Sequence, residues 1–215
     1  MKLIDLTHPL TDGQPAFPGD PVPRIRPFAT LAENGYNLTR FAMGSHQGTH
    51  LDAPFHFLRD GGTVDRIPLE RLYGPATLVD LAPGGALGKG AVITPGMLQL
   101  HASAFEPGAR VLLRTGWHEQ FGSPAFFDGY PSLTIEAARW IAARKIGLLG
   151  MDMPSPAADP AEAHQALLGA DVLLLEAVAN LAALPRRFTL AAFPLKLEGR
   201  DGPPVRAVAI LDEPS

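Results

Sequence analysis

Cysteine is absent from the 215 residues, and that absence excludes several kinds of protein. Disulfide scaffolds, thiolate zinc fingers, iron–sulfur clusters and cysteine nucleophiles all need a sulfur this chain does not carry. Basic charge is not in surplus either, with 18 Lys and Arg against 22 Asp and Glu, a formal charge of −4. Nucleic acid and anionic membrane surfaces, which select for basic patches, are therefore not expected partners. No apolar run is long enough to span a bilayer, because the most hydrophobic stretch, from Val172 to Leu184, is broken by Glu176 and Asn180. The first residues, Met1-Lys2-Leu3-Ile4-Asp5, do not read as a signal peptide, so cytoplasmic residence is the expectation. The chain has no Gly-x-Ser-x-Gly elbow, Walker A loop or Gly-x-Gly-x-x-Gly turn after a strand, which argues against a serine α/β-hydrolase and against P-loop or dinucleotide binding.

The chain is rich in turn formers, with 22 glycines and 22 prolines beside a 46% hydrophobic content. One domain spanning 1–215 is expected at this length. Short apolar, β-branched runs bounded by Gly or Pro predict strands at Leu3–Leu6, Leu38–Met43, Ala76–Leu81, Val111–Thr115, Ile146–Met151, Val172–Leu175, Phe188–Phe193 and Val205–Leu211. A helix is predicted over Thr134–Lys145, with Thr134 as N-cap and Ile135, Ala138, Ile141 and Ala142 as its apolar stripe. A second is predicted from Pro160 to Leu168, with Gly169 just past its end. Strand, helix, strand, helix, strand from Val111 to Leu175 implies a parallel component. The fold class expected is α/β with a mixed sheet.

The seven histidines are unevenly spread. The segment His46-Gln47-Gly48-Thr49-His50-Leu51-Asp52-Ala53-Pro54-Phe55-His56-Phe57 packs four titratable groups into eleven positions. Gly48, Thr49 and Pro54 make it a poor helix. Fully extended, it would place His46 and Asp52 about 20 Å apart, whereas the ligands of one metal must converge to within a few ångströms. Metal binding here thus requires a sharp turn, and Gly48 is placed to allow it. The alternative is a loop of solvated polar residues.

Glu176 adds a second argument, since it interrupts Val172-Leu173-Leu174-Leu175 and Ala177-Val178 in what reads as a buried strand. A carboxylate there needs a cation, a dense set of hydrogen bonds or a buried arginine. His164 lies on the second predicted helix, as a ligand or as a surface residue. Asp152 ends an apolar strand and is expected to cap the Pro154-Ser155-Pro156 turn. His8 is expected to play a supporting role, and His101 and His118 to lie on the surface. Phe17, Phe55 and Phe57 are candidates for a substrate pocket, with at least one of them in the core.

Further stretches complete a pattern: Ile4-Asp5-Leu6-Thr7-His8-Pro9-Leu10, Phe17-Pro18-Gly19-Asp20-Pro21, Arg114-Thr115-Gly116-Trp117, Gly150-Met151-Asp152-Met153-Pro154-Ser155-Pro156 and Pro204-Val205-Arg206-Ala207. With the histidine segment, they make the chain resemble the cyclase family of metal-dependent amide and lactone hydrolases, which includes bacterial kynurenine formamidases of tryptophan catabolism. The resemblance implies a swivelling β/β/α fold, a homodimer or larger homo-oligomer, a small-molecule substrate and two divalent ions per subunit, zinc or alternatively manganese. It implies that His46, His50 and Asp52 ligate the first ion, that Asp52 and Glu176 bridge to a second ion also bound by His164, and that His56 is the general acid/base. It also implies that Phe17 contacts the substrate. The formamidase branch has tryptophan at that position, so the indole N–H is missing here. Nitrogen and oxygen donors alone suit zinc or manganese. Two other readings remain, a metal-binding module without catalysis and a metal-free binding protein.

Overall fold

The computed structural model describes residues 1–211. Along the chain run β1 (Lys2–Asp5), β2 (Arg24–Ala29), α1 (Leu31–Asn34), β3 (Leu38–Ala42), β4 (His50–Asp52), β5 (Tyr73–Asp80), β6 (Val92–Ile93), α2 (Pro95–Gln99), β7 (Arg110–Arg114), β8 (Ser132–Leu133), α3 (Ile135–Ala143), β9 (Leu148–Met151), α4 (Pro160–Gly169), β10 (Leu173–Glu176), β11 (Arg187–Pro194) and β12 (Val205–Leu211). All eight expected strands are present. Thr134 caps α3 by accepting a hydrogen bond from the Ala137 amide. Gly169 is the last residue of α4 and not its stop signal, so that helix runs one residue longer than expected.

Eight strands form one mixed sheet in the order β1-β12-β11-β5-β7-β9-β10-β4. The four central strands, β5, β7, β9 and β10, are parallel, as the strand–helix alternation implies. Antiparallel strands flank them on both sides. Side chains alternate between faces along each strand. Val111, Leu113, Leu149, Met151 and Leu174 join the core under α3 and α4, with Ala138, Ile141, Leu167 and Leu168 from those helices. Leu112, Leu148, Leu173 and Leu175 turn the other way, into a second core with Leu51, Leu190 and Ala192. β2 and β3 form a separate antiparallel ribbon. Among the described residues, no helix is long and apolar enough to cross a membrane.

Two expectations fail near the end of β9. Asp152 does not cap the proline turn. Fully buried, it accepts hydrogen bonds from the Thr115 amide and hydroxyl and from the Gly116 amide, at 2.6–3.0 Å. It therefore ties the loop after β7 to the loop after β9, a long-range contact with no local sequence mark. His118 is not a surface residue either, because its Nδ1 is buried 3.6 Å from the Asp152 carboxylate. Asp152→Ala would strand the Thr115 and Gly116 amides in the interior, at a cost on the order of 3 kcal/mol. Urea unfolding of the metal-free protein should show that loss, with a smaller one for Asp152→Asn, which keeps an acceptor.

Candidate metal centre and pocket

The histidine segment does turn sharply, and at the predicted residue. Gly48 has φ +68°, and a Cβ there would come within 2.7 Å of Leu10 Cδ2. The turn feeds β4, which lies antiparallel beside β10 in a register that sets His50 opposite Glu176 and Asp52 opposite Leu174. Alternation then dictates the rest. Leu51 enters the second core, so His50 and Asp52 point to the other face, as do Leu174 and Glu176 on β10. From that side α4 brings in His164.

Five expected ligands converge as a result. Asp52 and Glu176 are 0% and 3% exposed. His50 Nε2 lies 3.4 Å from Asp52 Oδ1 and 3.5 Å from Glu176 Oε2. His164 Nε2 lies 3.4 Å from Asp52 Oδ2 and 3.3 Å from Glu176 Oε1. His46 Nδ1 makes a closer contact, 2.8 Å, to Asp52 Oδ1. Donor atoms of His50, Asp52 and Glu176 lie within 4.8 Å of one another, as do those of His46, Asp52 and His56. Asp52 is common to both groups, and no arginine approaches Glu176 among its ion pairs in the described residues.

The polar chemistry of this cluster is incomplete without a cation. Asp52 Oδ2 and Glu176 Oε1 are buried and accept no hydrogen bond. Two such oxygens cost several kcal/mol by desolvation and mutual repulsion unless positive charge lies against them, as a bound ion or, without one, as the His164 imidazolium 3.3–3.4 Å away. Burial and the Asp52 charge push the Glu176 carboxyl above its usual range. Two histidines are oriented for ligation through Nε2, since each Nδ1 bonds a backbone carbonyl, His50 to Gly48 at 2.8 Å and His164 to Pro160 at 2.7 Å. A ring N–H held in this way fixes the tautomer and leaves the opposite nitrogen free to bind a metal. The residues present fit a divalent cation.

His56 stands against this cluster, its ring stacked on His46 with centroids 3.7 Å apart. Burial, reinforced by the neighbouring His46, His164 and His50 against the pull of Asp52, lowers its pKa to about 4, so it is neutral near pH 7. His46 and His164 move the other way. Burial alone would lower them, but Asp52 and Asp201 hold His46 at about 10, and Asp52 and Glu176 hold His164 at about 10. His8, stacked on Phe121, is lowered to about 4, chiefly by burial.

These four shifts set the pH dependence of the metal-free protein. A histidine titrates near 6.5 when unfolded. Above that pH, folded His46 and His164 hold protons the unfolded chain releases, so their stabilisation is complete below about 6.5 and is lost as the pH rises towards 10. Below 6.5, the unfolded chain takes up protons that folded His8 and His56 refuse until about pH 4, so stability falls in that direction too. In EDTA, these four histidines should therefore place the Tm maximum near pH 6.5, with the raised Glu176 carboxyl drawing it towards lower pH. A Tm that climbs steadily to pH 9 would contradict these charge assignments.

A cavity of about 200 Å³ opens above the cluster, walled by Phe17, Phe57, Phe121, Phe126 and Phe127, with His46, His50, His56, His164 and Glu176 below. Phe17 meets Phe127 edge-on with centroids 5.9 Å apart. Of the three aromatic candidates, Phe17 and Phe57 line this cavity and Phe55 is 38% exposed, so none of the three is plain core. Phe121, Phe126 and Phe127 escape a sequence reading because they lie in 3₁₀ turns and their edges, 60–70 residues from the histidine segment. Asp201 escapes it as well. It accepts from His46 Nε2 at 2.7 Å and stands 4.0 Å from His56 Nδ1, and the bond to His46 leads in holding its carboxyl well below the usual range. The Asp-Gly-Pro-Pro run around it looks like an ordinary turn.

The chain is similar to several known proteins. A family model described as "Putative cyclase" matches residues 4–158. Kynurenine formamidase from Bacillus anthracis is 32% identical over 213 residues, covering 96% of each chain. The protein of the same name from Bacillus mycoides strain KBAB4 is 33% identical over 212 residues, covering 95% of each. Among solved structures, isatin hydrolase A from Labrenzia aggregata bound to benzyl benzoate superposes with a TM-score of 0.88 at 29% identity, over 99% of this chain and 94% of that one. A structure described as a potential metal-dependent hydrolase with cyclase activity superposes with a TM-score of 0.81 at 29% identity, over 99% of both chains.

Proposed function

This chain belongs to the cyclase family, and from that premise we propose that it is a metal-dependent hydrolase that cleaves the C–N bond of an aryl formamide of the N-formylkynurenine type. One observation carries the reading: a buried carboxylate pair with unpartnered oxygens, ringed by histidine nitrogens, lies at the base of a phenylalanine-walled cavity whose floor is Glu176 and those histidines. In this reading His46, His50 and Asp52 hold one divalent ion, and Asp52, Glu176 and His164 hold a second. Such ions, zinc or alternatively manganese, supply Lewis acidity and acidify water to a pKa of about 7.

The chain's own side chains do the rest. The phenylalanines orient the aryl ring and exclude bulk water. His56, neutral near pH 7 and beside the cluster, takes the proton of the attacking water. The water oxygen bonds to the formyl carbon, the C–N bond breaks, and His56 returns the proton to the departing arylamine. The products are formate and the free amine.

A second reading, hydrolysis of a cyclic amide of the isatin type or of a lactone, draws on the 0.88 TM-score with isatin hydrolase A and on Phe17 in place of a tryptophan. Turnover of N-formylkynurenine, isatin and simple lactones by zinc- and manganese-loaded protein separates the two. No cleavage of N-formylkynurenine at millimolar concentration overturns the first reading.

The same proposal includes a cytoplasmic homodimer acting in tryptophan catabolism, with residues 1–215 as one domain. The β2–β3 ribbon and the segment joining its strands support the dimer, because Phe28, Leu31, Tyr36, Leu38 and Phe41 each expose 47–65% of their surface there, and exposed apolar groups gathered on one element mark an interaction surface.

A further inference from the structure

We propose that Asp201 is a positioning residue of the metal centre, whose carboxylate orients His46 for ligation and keeps the neighbouring His56 ring in place. This rests on the metal-centre reading above. Three observations carry it, and none depends on resemblance to other proteins.

The first is the pattern of ring contacts. Of the three histidines nearest the buried carboxylates, His50 and His164 each spend their remote nitrogen on a backbone carbonyl. His46 has none. Its Nδ1 faces Asp52 at 2.8 Å, and its Nε2 meets Asp201 Oδ2 at 2.7 Å. Asp201 thus fills for His46 the place that Gly48 and Pro160 carbonyls fill for the other two. A carboxylate acceptor also raises ring basicity, and hence the donor strength of the opposite nitrogen, more than a carbonyl does.

The second is that Asp201 is itself held in place. The Ser45 hydroxyl donates to the same Oδ2 at 2.9 Å. The Asp201 carbonyl accepts from the Ala53 amide at 2.8 Å, Pro203 O accepts from the Leu51 amide at 3.2 Å, and the Val205 amide donates to Thr49 O at 2.9 Å. His50 and Pro204 form an antiparallel bridge. The 201–205 segment therefore runs along the free edge of β4, opposite β10, so the ligand strand is clamped from both sides. The approach is close enough that a Cβ on Gly202 would lie 2.7 Å from Leu51 O and 3.0 Å from His46 Cε1. An incidental surface ion pair would need no such backbone.

The third is reach. The same oxygen lies 4.0 Å from His56 Nδ1, beyond hydrogen-bonding distance, so Asp201 acts on His56 through the stacking of that ring on His46.

The test is metal affinity of the full-length protein, read by competition for zinc ions against a chromophoric chelator, in Asp201→Ala and Asp201→Asn. Alanine removes the acceptor and should weaken zinc binding by about 10–100-fold, the usual cost of losing such a partner. Asparagine can still accept from Nε2–H and should lose markedly less. Circular dichroism in EDTA checks that each variant folds, and should Asp201→Ala fail to fold, Asp201→Asn decides with a loss of several-fold. Affinity within twofold of the parent in every folded variant overturns the proposal, as does an alanine variant that binds zinc normally and loses only thermal stability. Failure of the underlying reading looks different, because the unsubstituted protein would then take up no zinc.

Discussion

Asp52→Asn should abolish metal binding, and activity with it. Asp52 is the one carboxylate in both groups of donor atoms, and it is fully buried with one oxygen that accepts no hydrogen bond. An amide of the same shape removes the negative charge that both proposed ions share. Elemental analysis after dialysis should find about two ions per subunit in the parent, close to none in Asp52→Asn, and about one in Glu176→Gln, which spares the His46–His50–Asp52 set. Stability should follow the metal. Saturating zinc at about a thousand times Kd raises the stability of a binding-competent fold by roughly 4 kcal/mol, so the zinc-induced rise in Tm should disappear in Asp52→Asn. Unchanged stoichiometry in that variant would sink the two-ion assignment. In EDTA the variant also bears on the ion cluster itself, because Asp52 is the partner of the His46 imidazolium. Removing one member of a buried pair typically costs about 3–5 kcal/mol, offset here by relief of the repulsion that raises Glu176.

His56→Ala should do the opposite: keep the metal and lose turnover. Proton transfer by a positioned side chain is worth about 10²- to 10⁴-fold, and kcat should fall by that factor with KM little changed. The prediction separates three readings at once. A non-catalytic metal-binding module would show no activity to lose, and a metal-free binding protein would contain no stoichiometric ion. His56 can also meet a cation alongside His46 and Asp52, since donor atoms of all three lie within 4.8 Å. Parallel loss of one ion per subunit and of turnover would make it a ligand in place of a general base. With the ions bound, the parent rate should rise with pH as the bound water gives up its proton, around pH 7, a range in which burial already keeps His56 neutral.

Much of this site is legible in one stretch of chain. A glycine between two histidines, four titratable groups in eleven positions and a proline after the aspartate announce a segment that folds back on itself, and Gly48 has the positive φ that requires. Glu176 is legible for a different reason, since a carboxylate after four consecutive aliphatic residues must be answered by something. The misreadings share a cause as well. Asp152 and His118 read as a turn cap and a surface residue from their immediate neighbours, while their surroundings are set by residues tens of positions away: Thr115 and Gly116 for Asp152, and the Asp152 carboxylate for His118.

The sequence by itself determined the kind of chemistry available: nitrogen and oxygen donors with no thiolate, a parallel central sheet from alternating strands and helices, and a turn at Gly48. These follow from residue type and from periods of two and 3.6, which are local properties of a chain. Only the tertiary structure decided which donors share an ion-sized space. The register of β4 on β10 puts His50 across from Glu176, the packing of α4 delivers His164, and the 201–205 segment brings Asp201 to His46 from 155 positions away. Such pairings arise from which strand edges are left free and which faces remain to be buried once the sheet has formed, and no short window of sequence encodes either.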